Sequence, residues 1–249
     1  MSGHSKWASI KHQKAVSDAR RGQLFTKLTR EIIVAVRKGG SSPDTNPSLR
    51  LAVQRARDNS MPLDNIERAI KRGSGAMEGA SLVELVLEGY GPGGAAILVQ
   101  ALSDNRNRTI QNVRNLFTRG GGNLSESGSV AWLFDLKGLI TLKTGDVDTE
   151  ELALRAIDAG AEDVSVENNY VEIYTRPEEL EAVRRTLENG DVPIESAELS
   201  MIPRTMLDLE EKPALQVLRL LDKLEELDDV RTVSSNVNFS DTVLEKYQE

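Results

Sequence analysis

The chain has 249 residues, of which 39% are hydrophobic and 4% aromatic, with no Cys and a formal net charge of -8. Disulfides, thiolate nucleophiles and cysteine-based zinc sites are therefore excluded, and the length suits one large domain or two to three small ones with aliphatic cores. No apolar run approaches the ~18 residues of a membrane span, and the N-terminal cations have no apolar stretch behind them, so a cytoplasmic protein without a secretory signal is expected.

The first predicted elements are helices. From Arg20 to Lys38, Leu24, Phe25, Leu28, Ile32, Ile33 and Val36 recur at helical spacing, and Gly39-Gly40 offers a left-handed stop. Arg20, Lys27, Arg30, Arg37 and Lys38 fall on the opposite half; Arg21 strays. "DTNPSLRLAVQRARDNSMP" predicts a second helix, with Asn46 as N-cap, Pro47 at the first helical position and Leu49, Val53 and Ala56 as its buried stripe. A third runs from Pro62 to Gly73, with Leu63, Ile66 and Ile70 inward and Asp64 in its first turn. Arg68, Lys71 and Arg72 crowd its last turn, where they suit the helix dipole as well as a ligand.

"GSGAMEGAS" reads as a linker, and beyond it strands and helices alternate. "LVELVLEGY" and "AAILVQALS" are strands joined by the turn "GPGG", and "TIQNVRNLF" is a helix. "GSVAWLF" and "GLITLK" read as strands, "DTEELALRAIDAG" as a helix. "EDVSVENNYVEIYT" is a hairpin turning at Asn168-Asn169, followed by the helix "PEELEAVRRTLENG" and the strand "IESAELSMI". A long amphipathic helix, "KPALQVLRLLDKLEELDD", and a last strand, "VRTVSSNVNF", end the series. The expected class is α+β: a basic arm and helical domain over residues 1–75, then two ferredoxin-like α/β domains. One of these is discontinuous (80–135 plus 208–240), and the other, 137–207, is inserted in it.

Charge is unevenly placed. Residues 1–75 hold 15 Lys and Arg against 6 Asp and Glu, a net of +9; the other 174 hold 16 against 33, a net of -17. A basic module on an acidic body points to a polyanionic ligand, although a small helical domain also solvates itself with Lys and Arg. In "GHSKWASIKHQKAVSDARRG", Lys6, Lys11, Lys14, Arg20 and Arg21 interleave with Trp7. The cations suit phosphates, while Trp7 suits either stacking on a base or burial in a core. In "SDNRNRTIQNVR", Arg106 and Arg108 lie in a polar loop before a helix. They suit phosphate or base-edge contacts, or one of them pairs with Asp104 at the helix cap.

Catalytic patterns are missing from the sequence. His4 and His12, without Cys and with only distant carboxylates, make a poor metal pair. "YGPGGAA" and "RGGGNL" match neither a P-loop nor a dinucleotide fingerprint, and no G-x-S-x-G or H-E-x-x-H occurs. The expectation is a protein without enzyme activity, cofactor, metal or small-molecule substrate.

Four stretches carry a family likeness: "GHSKWASIKHQKAVSDARRGQLFTKLTREI", "NSMPLDNIERAIKRG", "SDNRNRT" and "GSVAWLF". Together they resemble the YebC/PmpR family, with Ser60 standing where the family often has Asn. The resemblance implies three domains, one interrupted by another, and no catalysis. It also implies a role in gene expression, either as a DNA-binding transcriptional regulator or as a translational activator relieving stalled ribosomes.

Between these two, a helix-turn-helix would place Asn65 and Arg68 of the third helix toward base edges, but "RDNSMP" is long for such a turn. An RNA- and ribosome-binding factor needs only cations that track phosphates, so it is the favoured reading. The residues expected to contact nucleic acid (ribosomal RNA or DNA) are those already named in the arm, together with Lys27, Arg30, Arg37, Lys38, Arg68, Lys71, Arg72, Arg106 and Arg108. The acidic body would repel indiscriminate nucleic acid or face basic ribosomal proteins.

Overall fold

The computed structural model describes residues 18–75, 77, 82–144, 148–167, 170–190 and 192–248. It opens on three helices, α1 (Asp18–Gly39), α2 (Pro47–Asp58) and α3 (Leu63–Gly73). Their stripes meet in one aliphatic core built on Leu28, Ile32, Val36, Leu49, Val53 and Ile66. Asn46 joins the first two helices. Its side-chain oxygen accepts from Leu49 N at 3.1 Å, and its amide donates to Ala35 O and Gly40 O, both at 2.8 Å. The inward residues of α3 are Ile66 and Ala69, with Ile70 partly buried; Leu63 is 57% exposed, against expectation. Gly73, at the end of α3, packs against Val36 of α1. A Cβ there would lie 2.7 Å from that of Val36, so its absence lets α3 approach α1 closely.

The link from α2 to α3 is a left-handed cap. Ser60 has φ 57°, Met61 N donates to Ala56 O at 2.9 Å and Ser60 N to Arg57 O at 2.8 Å, the paired bonds of a Schellman motif. Asn and Gly tolerate this backbone region better than Ser. Ser60→Gly or Ser60→Asn should therefore raise stability by about 0.5–1 kcal/mol, measured by chemical denaturation.

Next come β1 (Val83–Tyr90), β2 (Ala96–Ser103), α4 (Arg106–Arg119) and β3 (Asn123–Leu124). They are followed by β4 (Phe134–Lys143), α5 (Thr149–Asp158), β5 (Asp163–Glu167), β6 (Tyr170–Thr175), α6 (Leu180–Glu188) and β7 (Ile194–Pro203). The last elements are β8 (Leu207–Asp208), α7 (Glu211–Glu225), β9 (Val230–Ser235), β10 (Val237–Asn238) and α8 (Asp241–Gln248). The fold class is α+β. The chain divides into two compact units, Phe134–Ile202 and the residues on either side of it.

Within Phe134–Ile202 the succession β-α-β-β-α-β gives the sheet order β5-β6-β4-β7, a ferredoxin-like unit. Leu152, Ala156, Leu180, Val183 and Leu187 of its helices are buried, as are Ile140, Leu142, Val171 and Ile173 of its strands. The predicted turn at Asn168-Asn169 lies outside the described residues.

The other four-stranded sheet has the order β3-β1-β2-β9 and departs from that succession, and β8 and β10 form a separate parallel pair. Its first two strands form an antiparallel hairpin through Pro92–Gly94, where Gly93 and Gly94 both have positive φ. Leu85, Ile97, Val99 and Ala101 share a core with Val113 and Phe117 of α4 and with Val217, Leu218 and Leu221 of α7. The predicted last strand is split into β9 and the short β10, and the unpredicted α8 buries Val243 and Leu244 against the same core.

"GSVAWLF" is not a strand of its own. Ala131–Leu133 form a 3-10 turn, and only Phe134 belongs to β4. The cause is Glu88, 3% exposed on β1, whose carboxylate accepts from the N–H groups of Gly128 (2.7 Å), Val130 (2.7 Å) and Ala131 (2.8 Å). Burial alone would raise the Glu88 pKa; these backbone N–H bonds outweigh it and hold the group below its ordinary value. Tyr90 Oη and Trp132 Nε1 both donate to Ser129 O, at 3.0 and 3.1 Å. An aromatic side chain 63% exposed is thus presented on a rigid loop. Glu88→Ala should cost about 2–3 kcal/mol, because three N–H groups lose their acceptor. In a Trp7→Phe background it should also lower the fluorescence anisotropy of Trp132.

Candidate nucleic-acid interface

The contact residues named from sequence fall into three groups. Lys6, Trp7, Lys11 and Lys14 lie outside the described residues, and Arg20 is described only as part of the α1 backbone.

The second group is held within the chain. Lys27 Nζ donates to the Glu225 carbonyl oxygen. Arg30 Nη1 pairs with Asp229 Oδ1 at 2.8 Å and also donates to Asp228 O. Lys38 pairs with Glu84. Arg108 pairs with Asp104 at 2.6 Å and with Asp229 Oδ2 at 2.9 Å. Much of the polar half of α1 therefore meets acidic residues of the α/β layer. Glu31 adds to this junction: it is 9% exposed and lies between Arg55 at 3.3 Å and Arg231 at 3.6 Å.

Asp229 is the centre of the junction. It accepts from Thr109 Oγ1 at 2.6 Å as well as from Arg108 and Arg30. Burial would raise its pKa, but the Thr109 and Arg108 hydrogen bonds and the Arg30 charge outweigh burial and lower it. Arg106 and Arg108 are not in a loop, because Asn105 caps α4 by accepting from Arg108 N at 3.1 Å and the helix begins at Arg106. Asp104 pairs with Arg108 without being the cap.

The third group is the remainder, Arg21, Arg37, Arg68, Lys71, Arg72 and Arg106; all are exposed, and Arg21, Arg37 and Arg68 also have interactions within the chain. Arg68 bonds Asn65 Oδ1 at 3.0 Å. Arg37 from α1 and Arg72 from α3 converge on one groove of about 430 Å³. Phe25, Ile33, Met61 and Leu82 line its apolar part, and Thr26, Thr29 and Asn65 supply hydroxyls and an amide. Arg30 and Asp104 stand at both this groove and a second one of about 360 Å³. The second is acidic, with Glu226, Asp228 and Asp229 beside Asp104. The first carries three arginines against one aspartate, which makes it the anion-attracting one.

Sequence alone does not single out Phe25, which falls on the apolar stripe of α1, or Met61; Asn65, expected at base edges only in a helix-turn-helix, lines this groove. Among the described residues, no group of three His, Asp or Glu could hold a metal ion, and no helix is long and apolar enough to cross a membrane.

The family model described as the TACO1/YebC protein N-terminal domain matches residues 5–76, and that of the TACO1/YebC second and third domain matches residues 82–237. The chain belongs to the TACO1/YebC family. A probable transcriptional regulatory protein of Dehalococcoides mccartyi is 60% identical over 247 residues, 99% of this chain and 98% of that protein. A protein of the same description from Natranaerobius thermophilus is 50% identical, covering 98% of this chain and 99% of its own. The crystal structure of a conserved hypothetical protein from Aquifex aeolicus superposes with a TM-score of 0.82 at 50% identity, covering 88% of this chain and 91% of that one. The TACO1/YebC architecture thus accounts for the helical segment and the mixed sheets together.

Proposed function

We propose that this TACO1/YebC protein is a non-enzymatic, nucleic-acid-binding regulator of gene expression that works on RNA at the ribosome, as a translation factor that activates translation or relieves stalled ribosomes. The observation that carries it is the convergence of Arg37 and Arg72 on one groove of the basic helical segment. The neighbouring cations Lys27 and Arg30 are engaged by the acidic layer. The exposed cations of the helical segment offer phosphate contacts, and the acidic remainder, net -17, limits where a polyanion lands or faces basic ribosomal proteins.

The start of α3 favours RNA over duplex DNA. A recognition helix offers its N-terminal residues to base edges in the major groove. Here the first turn carries Asp64, with Glu67 on the turn that follows, and both repel the phosphates of a duplex held against the helix start. Single-stranded RNA needs cations and stacking surfaces rather than a presented helix.

The relatives' description as probable transcriptional regulatory proteins favours the second reading, a DNA-binding regulator at promoters. Equilibrium titration with single-stranded RNA, single-stranded DNA and duplex DNA at matched ionic strength separates the two. Tighter binding of RNA is expected; tighter binding of duplex DNA, with sequence preference, would establish the promoter reading in its place.

A further inference from the structure

The groove that Arg37 and Arg72 share is more than a patch of charge. Along α1 it is lined by Phe25, Thr26, Thr29, Arg30, Ile33 and Arg37, a stripe of about 18 Å at the helical rise. From the opposite side Met61, Asn65 and Arg72 approach, and Leu82 closes one part. Its volume, about 430 Å³, is within the range of small-ligand sites. It combines an aromatic ring, aliphatic walls, a side-chain amide and guanidinium groups in one place.

Such a combination suits an unstacked nucleotide. The base is apolar on its faces and polar at its edge, and its phosphates are anionic. Phe25 and Leu82 are half-buried, so part of each already faces the groove, while Met61 at 5% exposure forms a firm wall. Asn65 lines the groove, and its bond from Arg68 uses only the side-chain oxygen, leaving the amide N–H groups for a ligand. Arg30 is committed to Asp229 and serves as a boundary rather than a ligand.

We propose that this groove takes one splayed-out base of a single-stranded nucleic acid, with the base between Phe25, Met61 and Leu82 and the flanking phosphates at Arg37 and Arg72. This rests on the nucleic-acid reading above and extends it: the groove recognises the base as well as the charge. An acidic peptide would satisfy the arginines but leave the apolar walls and the Asn65 amide without a partner.

The test compares two oligonucleotides on the full chain: a short single strand of uracil nucleotides, and a strand of equal length and charge built from abasic sugar-phosphates. The uracil strand should bind about tenfold or more tightly, the worth of one stacked base. Replacing its uracils with 4-thiouracil and irradiating should place the adduct on peptides containing Phe25 or residues 61–72. Equal affinity for the two strands would mean that the groove reads charge alone, overturning the base site while leaving the phosphate grip in place. Adducts confined to other peptides would also overturn it. Failure of both strands to bind would remove the nucleic-acid reading and the base site together.

Discussion

Asp229→Ala should lower the stability of the unit that holds it by about 3 kcal/mol, seen as a reduced denaturation midpoint with an unchanged slope. One carboxylate, 7% exposed, accepts from Arg30, Arg108 and Thr109. Without it Arg108, nearly half exposed, turns to water and keeps Asp104. Arg30, whose side chain is 18% exposed, keeps only the Asp228 carbonyl. The loss arises mainly from Arg30, a charge left shielded from water without its counter-ion. Asp229→Asn keeps the shape and an acceptor for Thr109, so it should cost less than the Ala change.

The same carboxylate gives a pH signature. Its pKa in the folded chain is depressed, so the unfolded chain binds its proton first as pH falls. The stabilisation is complete above the ordinary carboxylate range and disappears as pH falls from about 4 through the depressed value. Wild type should lose stability across that window more steeply than Asp229→Asn. Parallel acid profiles for the two would contradict the role assigned to the carboxylate.

The second large effect concerns binding. Arg37→Glu together with Arg72→Glu should weaken single-stranded RNA binding by on the order of a hundredfold at low salt. The log-log salt slope should become shallower by about 1.4, the value for two lost phosphate contacts on a single strand. Both side chains are exposed, so the thermal midpoint should move little. Lys27→Glu should behave in the opposite way. Its ammonium is anchored on the Glu225 carbonyl, so reversal disturbs the junction and lowers the melt more than it changes the salt slope.

What could be read from the sequence follows from how local each cause is. The helices of the first segment carry their periodicity within a dozen residues, and Asn46 and Pro47 mark the start of α2 in adjacent positions. The ferredoxin-like unit keeps the succession that its alternating stretches indicate. The fate of the cations is not local. Arg108 meets Asp229 across 121 positions and Arg30 meets it across 199, so nothing near either arginine marks it as one that meets Asp229. The same holds for "GSVAWLF", which has the composition of a strand but is bent by Glu88, some 40 residues earlier. The last helix, α8, has no signature in the sequence because its buried pair, Val243 and Leu244, is too short to show a period.

On the proposed reading, a small set of exposed arginines on the helical segment holds RNA. The most direct measurement is ultraviolet crosslinking of the full-length protein in growing cells, with sequencing of the attached nucleic acid in wild type and in the Arg37→Glu, Arg72→Glu variant. Ribosomal or transfer RNA should dominate the wild-type reads and fall sharply in the variant. Discrete duplex DNA sites with RNA at background, or RNA reads unchanged by the two substitutions, would contradict it.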